Sequence, residues 1–254
     1  MQAPHPMLKS SLPFALQPYS AVVLGSTGNV GRQIVMLLVA SPAVRQVVVV
    51  NRRHSDEFNG MVKVRELVVP DMDKLAEAVK PAVRDAGATV GFCAIGVGKG
   101  SQRMPEAQVR RIEVQYPEAF AKGCKAGGVL AIGLMTAVGA DIRSSFMYAR
   151  IIGEKEQAVT GVGIPVLGIY RPSVIFGNSN TPSYLRYVFP AVQWALPSRF
   201  HSIHKNELAR AMFAGTQEAL CQLKQQLDQG ALPPPQVKSY EYSDMKPFFS
   251  QPGS

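Results

Sequence analysis

The segment AVVLGSTGNVG (21–31) constrains this chain more than any other. An apolar run ends in glycine, and two further glycines follow at a spacing of three. A helical pattern then starts at once, with Val30, Ile34, Leu37 and Leu38 on one face. Gly25 allows a tight turn, Gly28 lets the backbone approach a pyrophosphate, and Gly31 lets the helix pack closely. The N–H groups at the start of that helix, with their partial positive charge, suit an anionic phosphate. A lone glycine triplet is a weak signal, but strand, turn and helix in this order make it a strong one. The candidate dinucleotide-binding residues of the turn are Gly25, Ser26, Thr27, Gly28, Asn29, Val30 and Gly31.

The rest of the chain supports the same frame. QVVVVN (46–51) is a β-branched run suited to a strand buried on both faces. VKVRELVV (62–69), TVGFCAI (89–95), VLAIGLM (129–135) and PVLGIYRPSVIFG (165–177) complete a set of six predicted strands. Helical patterns cover 71–83, with Pro81 as a kink or end, and 104–126, interrupted by Pro117. A third covers 144–159, with Ser144 or Ser145 as N-cap, and a fourth about 206–228. Strands interleaved with helices predict a doubly wound parallel α/β sheet, a Rossmann fold, with the ligand at the carboxyl ends of the strands. The predicted organisation is a leader over 1–19 and one domain over 20–215, of which 179–215 is a substrate-side segment. Residues 216–254 hold the end of a helix and a Pro-rich tail expected to be extended.

Cofactor choice is read about 20 residues past the turn. An acid there grips the ribose hydroxyls of NAD, but this chain has Asn51-Arg52-Arg53. An acid would repel a 2′-phosphate, whereas a guanidinium pairs with it bidentately. The expected cofactor is therefore NADP(H), with Arg52 and Arg53 on the 2′-phosphate; a solvated arginine pair is the plain alternative. Asp71 is placed to accept a bond from the adenine amino group. The small residues around Ala94, Ile95 and Gly96 leave room for the cofactor's ribose.

Composition limits the function classes. The 254 residues carry a net charge of +9, with 46% hydrophobic and 18% charged residues. No Lys/Arg run exceeds a pair, so the basic balance suits an anionic cofactor better than direct nucleic-acid binding. Three scattered cysteines and no CxxC argue for a reducing intracellular compartment, without disulfides or a zinc site. No uncharged apolar stretch reaches the roughly 18–20 residues of a membrane helix. The first twenty residues are acid-free but contain only Lys9 as a base, so cytosol and mitochondrial matrix both stay open. His201 and His204 lack a third ligand at a recognisable spacing and read as structural. No GxSxG or Walker pattern occurs, which argues against a hydrolase or a P-loop enzyme. Tyr184, Tyr187, Phe189 and Trp194 form an aromatic stretch that suits either a substrate pocket or a partner surface.

Several stretches resemble the Tat-interacting oxidoreductases, a branch of the atypical short-chain dehydrogenase/reductases. They are LGSTGNVGRQIV (24–35), VVPDMDKL (68–75), VGFCAIG (90–96), KAGG (125–128), VGADIRSSFMYARIIGEKE (138–156) and YRPSVIFG (170–177), and the similarity spans about 20–215. The resemblance implies a Tyr-x-x-x-Lys pair and a serine acting on a carbonyl substrate. Tyrosine gives the proton, nicotinamide the hydride, lysine holds the ribose and serine binds the substrate oxygen. Tyr148 matches the tyrosine, Ile152 stands where lysine is expected, and Thr136 and Ala137 fall on the paired serines. Lys155, on the same helix face a turn further on, is the cation placed to reach back toward Tyr148. Arg171 and Pro172 match the branch's Arg-Pro pair, with a contact to cofactor or substrate or a part in shaping the strand exit. Two functions follow: a non-catalytic NADP(H)-binding accessory, scaffold or regulatory protein of a larger assembly, or an NADPH-dependent reductase of a small or lipophilic carbonyl compound using Tyr148 and Thr136. Loss of the lysine penalises tyrosinate, so any residual activity is expected in the reductive direction.

Overall fold

A computed structural model describes residues 18–98, 104–177, 196–231 and 233–250. Its centre is a seven-stranded parallel sheet. In chain order the elements are β1 (Tyr19–Leu24), α1 (Asn29–Ala40), β2 (Val44–Asn51), β3 (Val64–Val68), α2 (Leu75–Ala86) and β4 (Ala88–Cys93). Then come α3 (Glu106–Arg110), a π-helical turn (Arg111–Gln115), α4 (Tyr116–Gly127), β5 (Ala131–Met135), α5 (Met147–Val162) and β6 (Val166–Tyr170). Two short strands, β7 (Ile175–Phe176) and β8 (Ile203–His204), pair with each other ahead of α6 (Lys205–Asp228). β9 (Gln236–Tyr240) and α7 (Tyr242–Met245) follow.

The strand order is β3-β2-β1-β4-β5-β6-β9. The chain runs outward from β1 to β3, then returns to lay β4 on the other side of β1. That reversal opens a crevice past the carboxyl ends of β1 and β4, where open α/β sheets take their ligands. The valine run of β2 is buried on both faces, as its composition predicts. Val47 and Val49 join the core under α1 and α6, and Val48 and Val50 join the core under α2 and α4.

Four local expectations need correction. The tail from 233 is a working part of the sheet: β9 pairs in parallel with β6, and the rings of Tyr170 and Tyr240 stack 4.6 Å apart across the pair. α5 begins at Met147 with Phe146 as its N-cap, because Ser144 closes a turn first, its Oγ accepting the Phe146 N–H at 3.2 Å. Pro81 neither ends nor breaks α2, which runs on to Ala86 and stops at Gly87 in the left-handed region, φ +59°. Pro117 does not interrupt its helix either. It has no N–H for the carbonyl four residues back, and the preceding turn widens to the π form instead. Glu113 lies in that turn and is buried.

Candidate cofactor and active site

The glycine turn sits in the crevice, and two of its glycines are sterically required. Gly25 has φ +86°, and a Cβ there would lie 2.8 Å from the Ala94 carbonyl carbon and the Ile95 nitrogen. Gly31 is more stringent, since its Cβ would lie 2.0 Å from the Gly25 carbonyl oxygen. The turn is thus wedged between α1 and the exit of β4. The Gly28 N–H closes it onto the Gly25 carbonyl at 3.0 Å. Gly28 is the N-cap of α1, with no side-chain cap and no acid in the first turn. The helix start therefore offers uncompensated N–H groups to an anion. Thr27 and Gly28 are exposed and Asn29 half-buried at the mouth, while Val30 and Gly31 pack inward.

Ser26 is fully buried and starts a polar chain that sequence reading missed. Its Oγ donates to Asn51 Oδ1 at 2.7 Å, and Asn51 Nδ2 donates to Glu66 Oε1 at 2.6 Å. The Ser55 N–H donates to the same oxygen at 3.0 Å, and the His54 ring lies 2.5 Å from Glu66 Oε2. Burial pushes the Glu66 carboxyl up, but the hydrogen bonds from Asn51, His54 and Ser55 outweigh it and leave the group below its ordinary value. Glu66 in turn raises the His54 ring. The chain anchors both ends of the segment carrying Arg52 and Arg53. Both arginines are exposed, and neither has a hydrogen-bond or ion-pair partner among the described residues. They are two free guanidinium groups where the spacing places a 2′-phosphate, so the residues present fit a phosphorylated dinucleotide.

Asp71 is exposed three residues past the end of β3, with one carboxylate oxygen accepting the Asp73 N–H at 3.1 Å. Ala94 and Ile95 back the glycine turn, and Gly96 is exposed beyond them. Beneath Gly96 lies a buried ion pair. Lys155 Nζ is 3.1 Å from Glu113 Oε2, and each side chain is only 1% exposed. Lys155 also donates to the Ile95 carbonyl at 3.1 Å, and Glu113 Oε1 accepts the Val97 N–H at 2.9 Å. The Lys155 amine is therefore committed to the β4 exit and to Glu113.

Tyr148 lies in the first turn of α5 and keeps 40% of its surface exposed. Its phenol is held well above its ordinary value by burial around the oxygen first and by the facing Glu113 carboxylate second. Ile152, one turn on, is 2% exposed and packed. Thr136 leaves β5 with its hydroxyl turned to Glu156, donating to Oε1 at 2.8 Å. Arg171 grips the same carboxylate with two bonds, at 2.9 and 2.5 Å, and the buried Pro172 accepts the Val138 N–H. The structure thus gathers Thr136, Glu156 and Arg171 into one closed group, separate from the Glu113–Lys155 pair. Both missed acids carried a signal. Glu113 lies on the apolar stripe with Val109, Pro117 and Phe120, and Glu156 is the buried acid four residues past Ile152, where the Tyr-x-x-x-Lys frame ends.

His204 is the N-cap of α6, its Nδ1 accepting the Asn206 N–H in a capping box with Glu207. His201 bonds the Leu196 carbonyl and tilts against Tyr242. Both have structural partners. Among the described residues no group of three or more His, Cys, Asp or Glu side chains is arranged to hold a metal, and no helix is long and apolar enough to cross a membrane. The aromatic stretch Tyr184, Tyr187, Phe189 and Trp194 lies outside the described residues. Phe146 and Ile142, 79% and 46% exposed, precede Tyr148 in the segment leading into α5.

The strand order, the switch-point crevice and the glycine turn define a Rossmann protein of the short-chain dehydrogenase/reductase class. Bordetella bronchiseptica WbmH, solved with NAD+, shares this fold, with a TM-score of 0.62 at 11% identity over 92% of both chains. No protein-family model matches the chain. Two relatives are each 30% identical to it. One is the mitochondrial protein FMP52-1 of Scheffersomyces stipitis, over 64% of this chain and 70% of that one; the other is HTATIP2 of Rattus norvegicus, over 66% and 68%. The chain belongs to their family, the Tat-interacting oxidoreductase-like branch of the atypical short-chain dehydrogenase/reductases.

Proposed function

We propose that this protein binds NADP(H) and works as a non-catalytic accessory, scaffold or regulatory member of a larger assembly. The observation that carries the reading is the fate of the lysine and serine positions a carbonyl reductase needs beside its tyrosine, and of the one cation that could stand in for the lysine. Ile152 is packed apolar, the Lys155 amine is closed onto Glu113, and the Thr136 hydroxyl is closed onto Glu156. Catalytic constellations lose rate steeply when one member goes. The phosphate-binding half is meanwhile intact, with Arg52 and Arg53 unpaired. Bound dinucleotide would then stabilise the fold by mass action and could report cofactor levels to a protein partner. The compartment we propose is a reducing intracellular one, cytosol or mitochondrial matrix. The word mitochondrial in the names of the fungal relatives supports the second.

A second reading is favoured by Tyr148, which is exposed and protonated beside the apolar Phe146 and Ile142. NADPH supplies hydride when bound. In this reading Tyr148 would give its proton to the oxygen of a small or lipophilic carbonyl compound. Titration with NADPH and NADH, followed by fluorescence, tests the shared part. NADPH binding at least about tenfold tighter is expected from one charge-assisted arginine contact. Equal affinities would remove Arg52 and Arg53 from the site. Binding of neither would end the cofactor reading and leave a scaffold that meets only protein partners.

A further inference from the structure

The Glu113–Lys155 pair carries a consequence beyond structural support. Burying two opposite charges costs more than filling the same space with apolar side chains, so such a pair is poorly explained by stability. Its atoms end on the cofactor crevice. Lys155 holds the Ile95 carbonyl, Glu113 holds the Val97 N–H, and a Cβ on Gly96 would lie 3.2 Å from the Glu113 carboxylate. The backbone over 95–97, which backs the glycine turn, is thereby fastened from below on two sides. Glu113 reaches this place because the helix widens at Arg111–Gln115, ahead of Pro117. Lys155 faces its carboxylate from α5, and Tyr148 stands two turns earlier on the same face of that helix. α5 packs along α3 and the π turn, tied there by Arg110–Glu154 at 2.7 Å and Arg150–Glu106 at 3.3 Å, which sets Tyr148 and the buried Cys93 of β4 in the electrostatic surroundings of Glu113.

We propose that Glu113 is a positioning residue of this site: held in place by its ion pair with Lys155, its carboxylate clamps loop 95–97 for the dinucleotide and holds the Tyr148 hydroxyl as a hydrogen-bond donor. The loop half of this inference rests on the cofactor reading; the Tyr148 half does not. With the family's lysine position filled by Ile152 and Lys155 consumed, the charged group that Tyr148 faces is an anion. Losing the phenolic proton is then opposed in either direction of turnover. The pair makes this a site that binds and orders a cofactor while holding its tyrosine silent.

The full chain is tested with ¹³Cζ-labelled tyrosine, the Tyr148 resonance being assigned by its loss in Tyr148→Phe. Glu113→Gln alone strands a buried lysine and risks the fold, so the informative variant is Glu113→Gln with Lys155→Met, which buries no net charge. Its Tyr148 resonance should move at neutral pH, and its ionisation should begin about one pH unit lower. Glu113→Asp, which keeps the carboxylate, should leave the resonance near the wild-type position. An unmoved Tyr148 in the double variant overturns the inference. For the loop, Glu113→Leu/Lys155→Met removes the acceptor at Val97 and should weaken NADPH about tenfold relative to Glu113→Gln/Lys155→Met, which retains one. Equal affinities overturn the clamp. If the wild type binds no dinucleotide, the cofactor reading fails and the Tyr148 resonance decides on Glu113 by itself.

Discussion

Replacing Gly31 by alanine puts a methyl group 2.0 Å from the Gly25 carbonyl oxygen and 2.8 Å from its carbon, where ordinary contact begins near 3.4 Å. Neither atom is the end of a flexible side chain. Gly25 is pressed against the backbone of Ala94 and Ile95, so relief must come from α1 retreating by more than an ångström. Overpacking of this kind costs about 1–3 kcal/mol, and in a chain of this length each kcal/mol lowers the melting midpoint by about 2–4 °C. The effect on the ligand should be larger. A phosphate hydrogen bond near 2.9 Å does not survive a shift of that size. Losing two charge-assisted donors, at roughly 1.5–3 kcal/mol each, weakens NADPH about a hundredfold or more. Gly28→Ala is the graded comparison, because its Cβ meets the Gly25 oxygen at 3.2 Å and needs only a few tenths of an ångström. Its NADPH affinity should stay within about tenfold of wild type. Gly161→Ala, with no atom within 4 Å in α5, is the control and should hold or raise stability. The assays are fluorescence titration with NADPH and thermal melting by circular dichroism. Wild-type NADPH affinity in a folded Gly31→Ala protein would refute the placement of phosphates on this turn.

Three further outcomes are expected. Arg52→Ala combined with Arg53→Ala should weaken NADPH at least about tenfold and leave NADH unchanged, read by the same titration; an equal loss for both cofactors would point to a general loop effect. Ile152→Lys restores the missing cation one turn from Tyr148 and should raise NADP+-dependent oxidation of secondary alcohols more than the reverse reaction; with no gain in either direction, the substrate pocket has decayed along with the lysine. The His54 ring is raised above its ordinary 6.5 by the Glu66 carboxylate, whose own value is lowered. Their pairing therefore contributes fully between the ordinary values of 4.5 and 6.5, fading as pH falls through the Glu66 value or rises through the His54 value. Proton NMR should find the His54 midpoint above 6.5 in the wild type and back near it in Glu66→Gln; an unshifted wild-type midpoint would remove the anchor from the Arg52 segment.

Much of the scaffold was legible in local sequence. The glycine spacing, the valine run of β2 and the three-to-four-residue apolar stripes of α1 and α6 each encode backbone geometry within a dozen residues. Chain neighbours enforce such features wherever the segment lies. The turn, the six strands of the α/β frame and the position of the arginine pair after β2 follow from that kind of information. Boundaries were less secure, since Ser144 and Phe146 compete for the start of α5 and the outcome depends on loop packing. The Asp141–Ile142 backbone lies so close to the helix that a Cβ on Gly153 would sit 2.5 Å from the Ile142 nitrogen.

By itself the sequence determined that this chain builds a parallel sheet with a glycine turn opening the first helix, that an arginine pair stands where an NAD-binding protein has an acid, and that the family's lysine is absent. Only the tertiary structure decided what the remaining polar groups do. Glu113 and Lys155 are 42 positions apart, Thr136 and Glu156 are 20, and Ser26 reaches Glu66 through Asn51 across three strands. β9 joins the sheet as its edge beside β6, although Tyr240 is the one buried residue of its five. A buried charge has to find an opposite one, and which one it finds is set by strand order and helix register, which spacing along the chain does not record.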